Sequence, residues 1–239
     1  MNQPRIVVAA MAVISLAGGA IRPAWAIAAP YAQMAPLNRY LMPNRQREID
    51  LARSAAPPSI SRRATVLVLD AHGYSTAEEG TNGFTCVVER SWTKSFDDDN
   101  FWNPKVRAPV CYNAAASQSV LRYTVFRTAL VLAGASEAQI LARLKQAIAA
   151  GRLPTPPNGN VAYMMSKQGY IDDHVKAWYP HLMFYAPKSA GANAGESWGA
   201  DRRGSPVVYD AGHAINPEPW ACFFVPVGHW SDGSAGPPT

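Results

Sequence analysis

Residues 1–26 have the order of a secretory signal peptide, which limits both how much chain is left to fold and under what redox conditions. Arg5 supplies a positive start, Ile6 to Ile21 run without a charge, and Ala24-Trp25-Ala26 has the small-residue spacing that signal peptidase accepts. Ala26-Ile27-Ala28 offers a second site two residues on. The apolar run is about 16 residues and contains Ser15, Gly18 and Gly19, short and weak for a membrane span. No cysteine lies near the cleavage zone and no arginine pair precedes the run, which excludes lipoprotein and twin-arginine signals. The expected destination is the periplasm or the exterior, with no membrane span after cleavage.

Cleavage after Ala26 leaves 213 of the 239 residues, enough for one domain with its own core. Hydrophobic residues at 48% against 16% charged describe a packed chain, not a disordered one. Arg5 and Arg22 leave with the signal, so the net charge of +5 falls to +3. The remaining bases are scattered, the densest group being Arg45, Arg47 and Arg53, and no stripe for nucleic acid emerges.

The three cysteines are Cys86, Cys111 and Cys222. In an oxidising compartment a disulfide is the default, and an odd count leaves one thiol. Three pairings are open. Cys222 lies in Trp220-Ala-Cys-Phe-Phe-Val, apolar on both faces, which suits a buried thiol and makes Cys86–Cys111 the expected bridge. No C-x-x-C occurs and no histidine lies within four residues of a cysteine, so no metal site is expected.

Prolines 30, 36 and 43 make residues 27–43 an extended lead-in, and 44–230 read as one globular domain followed by a flexible tail, 231–239. Asn44 can cap a helix reaching about Ala55. Ala64–Leu69 and Phe84–Arg90 read as strands of a long hairpin with Asn82-Gly83 in its connection. Residues 91–113 look irregular. Helices follow at 117–133, capped by Ser117, and after Ser136, which forms a capping box with Gln139 ahead of the Ile140, Leu141, Leu144, Ile148 stripe. Strands at 161–166, 181–185 and 220–227 complete the set, with a long loop rich in Gly, Ala and Ser before the last. Without βαβ alternation, the expected fold class is α+β. It is a single domain with an antiparallel or mixed sheet of about five strands, two or three helices on one face, and long irregular loops.

Nucleophile-elbow, phosphate-loop, H-E-x-x-H and EF-hand patterns are all absent, and no cofactor is expected. Ser91-Trp-Thr-Lys94 matches S-x-x-K, but the accompanying S-D-N element is missing. Charges embedded in apolar strands carry more weight. Glu89 and Arg90 alternate to opposite faces, so one points at a covered interior where an unpaired charge is costly. Strand-end positions place Glu89, Lys167 and His181 at one edge of an antiparallel sheet, a cluster suited to acid–base chemistry, ligand anchoring or a plain salt bridge. His72, Trp92, Tyr163 and Trp178 are the expected ligand contacts around it. The loop aromatics serve equally well as a pocket floor or as cover for an open sheet face.

The stretches Gly80-Thr-Asn-Gly-Phe-Thr-Cys-Val-Val-Glu-Arg-Ser-Trp92, Phe101-Trp-Asn-Pro104, Tyr163-Met-Met-Ser-Lys-Gln-Gly-Tyr170 and Pro180-His-Leu-Met-Phe184 resemble segments of a family of exported bacterial proteins without an assigned activity. The resemblance spans about residues 45–232. It implies an exported single-domain protein and no particular ligand or catalytic residue.

Two functions follow: a non-catalytic domain binding a small molecule or protein in the periplasm, or a hydrolase-like acid–base enzyme using His181, Glu89 and Lys167. They part on geometry, since the enzyme fails if His181 and Glu89 face opposite sides of the sheet. For the signal, the intact mass of exported material should place the first residue at Ile27 or Ala29. A full-length mass in a soluble fraction refutes cleavage.

Overall fold

The computed structural model describes residues 31–175 and 178–237. The expected signal peptide lies outside the described residues. No described helix is long and apolar enough to cross a membrane.

The fold is α+β around one mixed sheet. Asn44 caps α1 (Arg45–Arg53) by accepting from the Arg47 amide, and Pro57 leads into the short α2 (Pro58–Ser61). Four strands follow: β1 (Thr65–Asp70), β2 (Gly73–Glu78), β3 (Thr85–Glu89) and β4 (Ala108–Tyr112). The helices α3 (Ala114–Gln118), α4 (Val120–Leu132) and α5 (Glu137–Ala149) come next, the last opened by the Ser136–Gln139 capping box. The chain then forms β5 (Val161–Met164), β6 (His181–Pro187), α6 (Ser189–Ala192), α7 (Ala194–Trp198), β7 (Val208–Tyr209), α8 (Ala211–Ala214) and β8 (Trp220–Pro226). The strand order is β2-β1-β3-β4-β5-β6-β8-β7, eight strands where about five were expected. Only β1 and β3 run parallel.

The three extra strands have identifiable reasons. β2 lacks an apolar run because it is an edge strand. β7 is two residues inside the long loop. β4 carries Pro109, which argues against a central strand, yet β5 pairs only with Cys111 and Tyr112, so the missing N–H interrupts no ladder there.

The expected long hairpin is replaced by a different path. Asp70 accepts from the His72 amide and the Ser75 hydroxyl, which closes a two-residue turn between β1 and β2. The chain then crosses back at Gly80, where a Cβ would meet the Thr65 nitrogen at 2.1 Å, and enters β3 on the other side of β1. Asn82 anchors this crossing by donating to the Ile60 carbonyl. The helix expected from Ser117 also differs. Asn113 caps α3 earlier, and the chain breaks at Ser119, whose hydroxyl bonds the Ala115 carbonyl and the Asn160 side chain.

Helices cover both faces of the sheet, not one. On the first face α1 and the turn after it pack Ile49, Ala52 and Ala55 against Val66, Val68 and Val88 and the Cys86–Cys111 disulfide, which links paired residues of β3 and β4. On the second, α3, α4 and α5 bring Ala116, Leu121, Tyr123 and Leu144 over Val87, Val110, Met183 and Cys222, the one free cysteine. The lead-in is not simply extended. Its Tyr40 is fully buried and donates to the Trp102 carbonyl at 2.8 Å. The segment from Ser231, expected as a frayed tail, is tied back: Ser231 bonds the Met165 and Ser54 carbonyls, and the Gly236 amide bonds Gly228.

Glu89 and Arg90 do face opposite sides, and both are buried. Arg90 reaches the α1 side, pairs with Glu48 at 2.8 Å and donates to the Tyr40 and Val88 carbonyls. Glu48 also accepts from the Leu69 amide. Removing one partner of such a pair leaves an uncompensated buried charge. Glu48→Ala should therefore lower the unfolding free energy by about 3–5 kcal/mol, whereas Glu48→Met with Arg90→Met should recover much of the loss. Urea titration with unchanged slope checks both, and a double variant no better than the single contradicts it.

Candidate functional site

Antiparallel pairing brings one end of several strands together. Glu89 at the end of β3 pairs with Ala108 at the start of β4. Met164 at the end of β5 pairs with His181 at the start of β6. These ends open on a partly open cavity of about 250 Å³. Its floor is the second sheet face, its roof is α4 with Tyr123, Thr124 and Arg127, and its rim comes from residues 93–98, Ile171, Trp178 and residues 210–218.

Glu89 and His181 both line this cavity and so face the same side of the sheet, but no hydrogen bond joins them: Glu89 bonds Tyr112 and Thr124, and His181 bonds the Tyr179 carbonyl. Trp178 also lines the cavity, 41% exposed, with its ring 4.9 Å from Phe224 and 5.5 Å from His181. The other expected residues lie elsewhere. Lys167 sits beyond β5 on the surface, half exposed and paired with Asp232. His72 is in the β1–β2 turn, exposed. Trp92 is fully buried and donates its indole N–H to Thr128 at 2.9 Å. Tyr163, alternating with Met164, faces the first side and packs on Phe84. Each departure has the same cause: the side chain belongs to a different layer or a surface turn, which strand-end position alone does not encode.

The Glu89 carboxylate accepts on Oε1 from the Tyr112 and Thr124 hydroxyls, each at 2.6 Å. Among the described residues no basic side chain forms an ion pair with it. The two permanent cations of the wall are already engaged. Lys94 pairs with Asp98, and Arg127 pairs with Glu218 while donating to the Trp92 and Lys94 carbonyls and stacking on Phe96.

Three buried polar atoms of cavity-lining residues make no hydrogen bond among the described residues: His181 Nε2, Glu218 Oε2 and Trp220 Nε1. The His181 Nδ1 sits 2.6 Å from the Tyr179 carbonyl, a contact that requires Nδ1 to be the donor. Burial lowers the His181 pKa below its ordinary 6.5, against an opposing pull from the Tyr179 carbonyl and Asp210. The imidazole is thus neutral near pH 7 and Nε2 is an acceptor. Burial, with the negative charge of Glu89 nearby, holds the Tyr112 and Tyr185 hydroxyls well above the ordinary phenol range, so both stay protonated. The walls between these groups are apolar: Val106, Ala108, Val110, Met164, Met183 and Phe224.

Sequence reasoning missed the 210–222 contribution. Asp210 caps α8 by accepting from the Gly212 amide and binds His213 Nδ1, one turn on. Burial pushes the Asp210 pKa up, but the His213 contact and the Gly212 and His213 amides outweigh it and the net shift is downward. The spacing Asp210-Ala-Gly-His213 was the available signal, an N-cap with a histidine in the first turn. No protein-family model, curated protein or solved structure matches this chain.

The His181 shift sets a pH dependence. A histidine whose folded pKa lies below its unfolded value stabilises the fold fully above about pH 6.5, and the contribution is lost as pH falls from there toward the folded pKa. Stability measured by urea unfolding should fall across that window, and His181→Gln should flatten the slope. An unchanged slope in the variant contradicts the buried, neutral imidazole.

Proposed function

We propose that this protein is an exported, non-catalytic domain that binds a small cationic molecule, an amine or quaternary ammonium with an apolar body, in the cavity at the sheet end. The observation that carries the reading is Glu89, a nearly buried carboxylate on the cavity wall with hydroxyl donors but no cationic partner among the described residues. An unpaired buried charge costs several kcal/mol, and a cationic ligand is the partner that offsets it. The unpartnered acceptors on His181 and Glu218 favour ligand N–H or O–H groups, and the Trp220 indole offers one donor. Trp178 and Phe224 supply the aromatic faces on which cations rest. The N-terminal signal order supports export, and the disulfide, a bond of oxidising compartments, is compatible with it. Resemblance to a family of exported bacterial proteins points the same way.

A second reading, an acid–base enzyme, is favoured by one observation: the free His181 Nε2 and the Glu89 carboxylate share the cavity. It predicts a loss of turnover of about 10²–10⁴-fold in His181→Ala. A retained molecule that stays chemically unchanged on incubation rejects it.

Benzyltrimethylammonium and its neutral isostere neopentylbenzene test the binding reading. At a hundredfold excess over Kd the cation should raise Tm by about 5–10 °C, the isostere by much less. Glu89→Gln, which keeps an acceptor for Tyr112 and Thr124, should abolish the difference. Equal shifts from both probes, or a Glu89→Gln variant that still prefers the cation, overturn it.

A further inference from the structure

A second cluster lies on the cavity wall and serves neither reading above. Asp210, His213 and Cys222 bring one carboxylate oxygen, one imidazole nitrogen and one sulfur within 4.8 Å of one another. The backbone holds them there. The Asp210 amide donates to the Cys222 carbonyl at 2.9 Å, extending the β7–β8 ladder by one bond, and the Asp210 side chain caps α8, which carries His213. Asp210 and His213 line the cavity, while Cys222 is fully buried on the same face of β8 as the lining residues Trp220 and Phe224.

We propose that Asp210, His213 and Cys222 bind one divalent transition-metal ion of the zinc class, with its remaining coordination position open to the cavity. The donor set selects the metal. A thiolate with an imidazole disfavours magnesium and calcium, which take oxygen ligands, and suits zinc, which accepts mixed S, N and O donors. Three protein ligands with a fourth position free is the arrangement of a reactive zinc, whereas purely structural sites close all four. On binding, the Cys222 S–H gives way to a metal–sulfur bond and its proton leaves to solvent, while Asp210 and His213 exchange their mutual contact for bonds to the ion. The ion's two positive charges are balanced by Asp210 and the thiolate, so Glu89 remains the unpaired charge of the cavity. Metal binding and cation binding therefore stand or fall separately.

Cobalt(II) is the probe, added to the mature, metal-free protein with its disulfide intact. Binding should produce a near-ultraviolet sulfur-to-cobalt charge-transfer band that saturates at one ion per chain, and zinc should quench it by displacement. Cys222→Ser should abolish the band and weaken zinc by more than about tenfold, and His213→Ala should weaken it similarly. His72→Ala, on the remote β1–β2 turn, should change neither. Should Cys222→Ser fail to fold, Asp210→Asn keeps the α8 cap and should still weaken cobalt and zinc alike. The proposal is overturned by a chain that retains no zinc or cobalt, by a band that survives Cys222→Ser, or by Asp210→Asn binding both ions as tightly as the natural protein.

Discussion

The buried pair of Glu48 and Arg90 decides which side of the sheet each neighbouring residue faces. Arg90 is fully enclosed, and its guanidinium holds α1 through Glu48, the lead-in through the Tyr40 carbonyl, and β3 through the Val88 carbonyl. Because side chains alternate along a strand, placing Arg90 on the α1 side commits Glu89 to the cavity side. A one-residue slip would exchange them, leaving Arg90 unpaired under α4 and Glu89 against Glu48. The disulfide enforces the same choice at the next strand. Cys86 and Cys111 are paired on the α1 side, so Val110 and Tyr112 must face the cavity. In the chain-entropy account, closing 25 residues of separation contributes about 3.5 kcal/mol. Its larger consequence here is that Tyr112 arrives within hydrogen-bonding distance of Glu89.

With register settled, the character of the cavity follows from where its bases are used. Arg127 is the cation of the roof, but Glu218 and two loop carbonyls engage it, so its role is to tie α4 to the rim. Lys94 is held by Asp98 four residues on. The neighbours left to Glu89 are hydroxyls, Tyr112 and Thr124, which orient the carboxylate without cancelling its charge. The phenols stay protonated because burial beside that charge opposes their ionisation.

Much of this was legible in the sequence where the signal is local. The Asn44 cap and the Ser136–Gln139 box follow from residue chemistry over short spans, the Cys86–Cys111 bridge from the apolar setting that sets Cys222 apart, and each is present. That Glu89 and His181 open on one cavity follows from antiparallel order, which puts a strand's end beside its neighbour's start. Lys167 failed because it lies three residues past the end of β5, where alternation no longer governs direction, and Asp232 captures it. Tyr163 failed by parity, one residue from Met164, which does reach the cavity. The parallel β1–β3 pairing was hidden because its cause is a steric one: the crossing at Gly80 depends on a close approach to Thr65 that no propensity reports. Likewise Asp210 and Glu218 come from a long segment without periodicity, and the β7–β8 pairing is what brings Asp210 beside β8.

The unpartnered groups favour the proposed ligand cavity over a packing defect. His181 Nε2, Glu218 Oε2 and Trp220 Nε1 are each buried without a hydrogen bond among the described residues, at about 1–3 kcal/mol apiece. A sheet end that needed only cover would be cheaper with Leu or Phe at those positions, as it is with Met183 and Phe224 beside them. These polar atoms belong to residues lining one space, together with the unpaired Glu89 and a half-exposed Trp178 at its border. Two other buried atoms unpartnered among the described residues, Arg53 Nε and Ser91 Oγ, lie outside this space, but three of the five belong to its lining. That grouping is what is expected where stability is given up for recognition, and it supports the proposed binding at the junction that the Arg90 register creates.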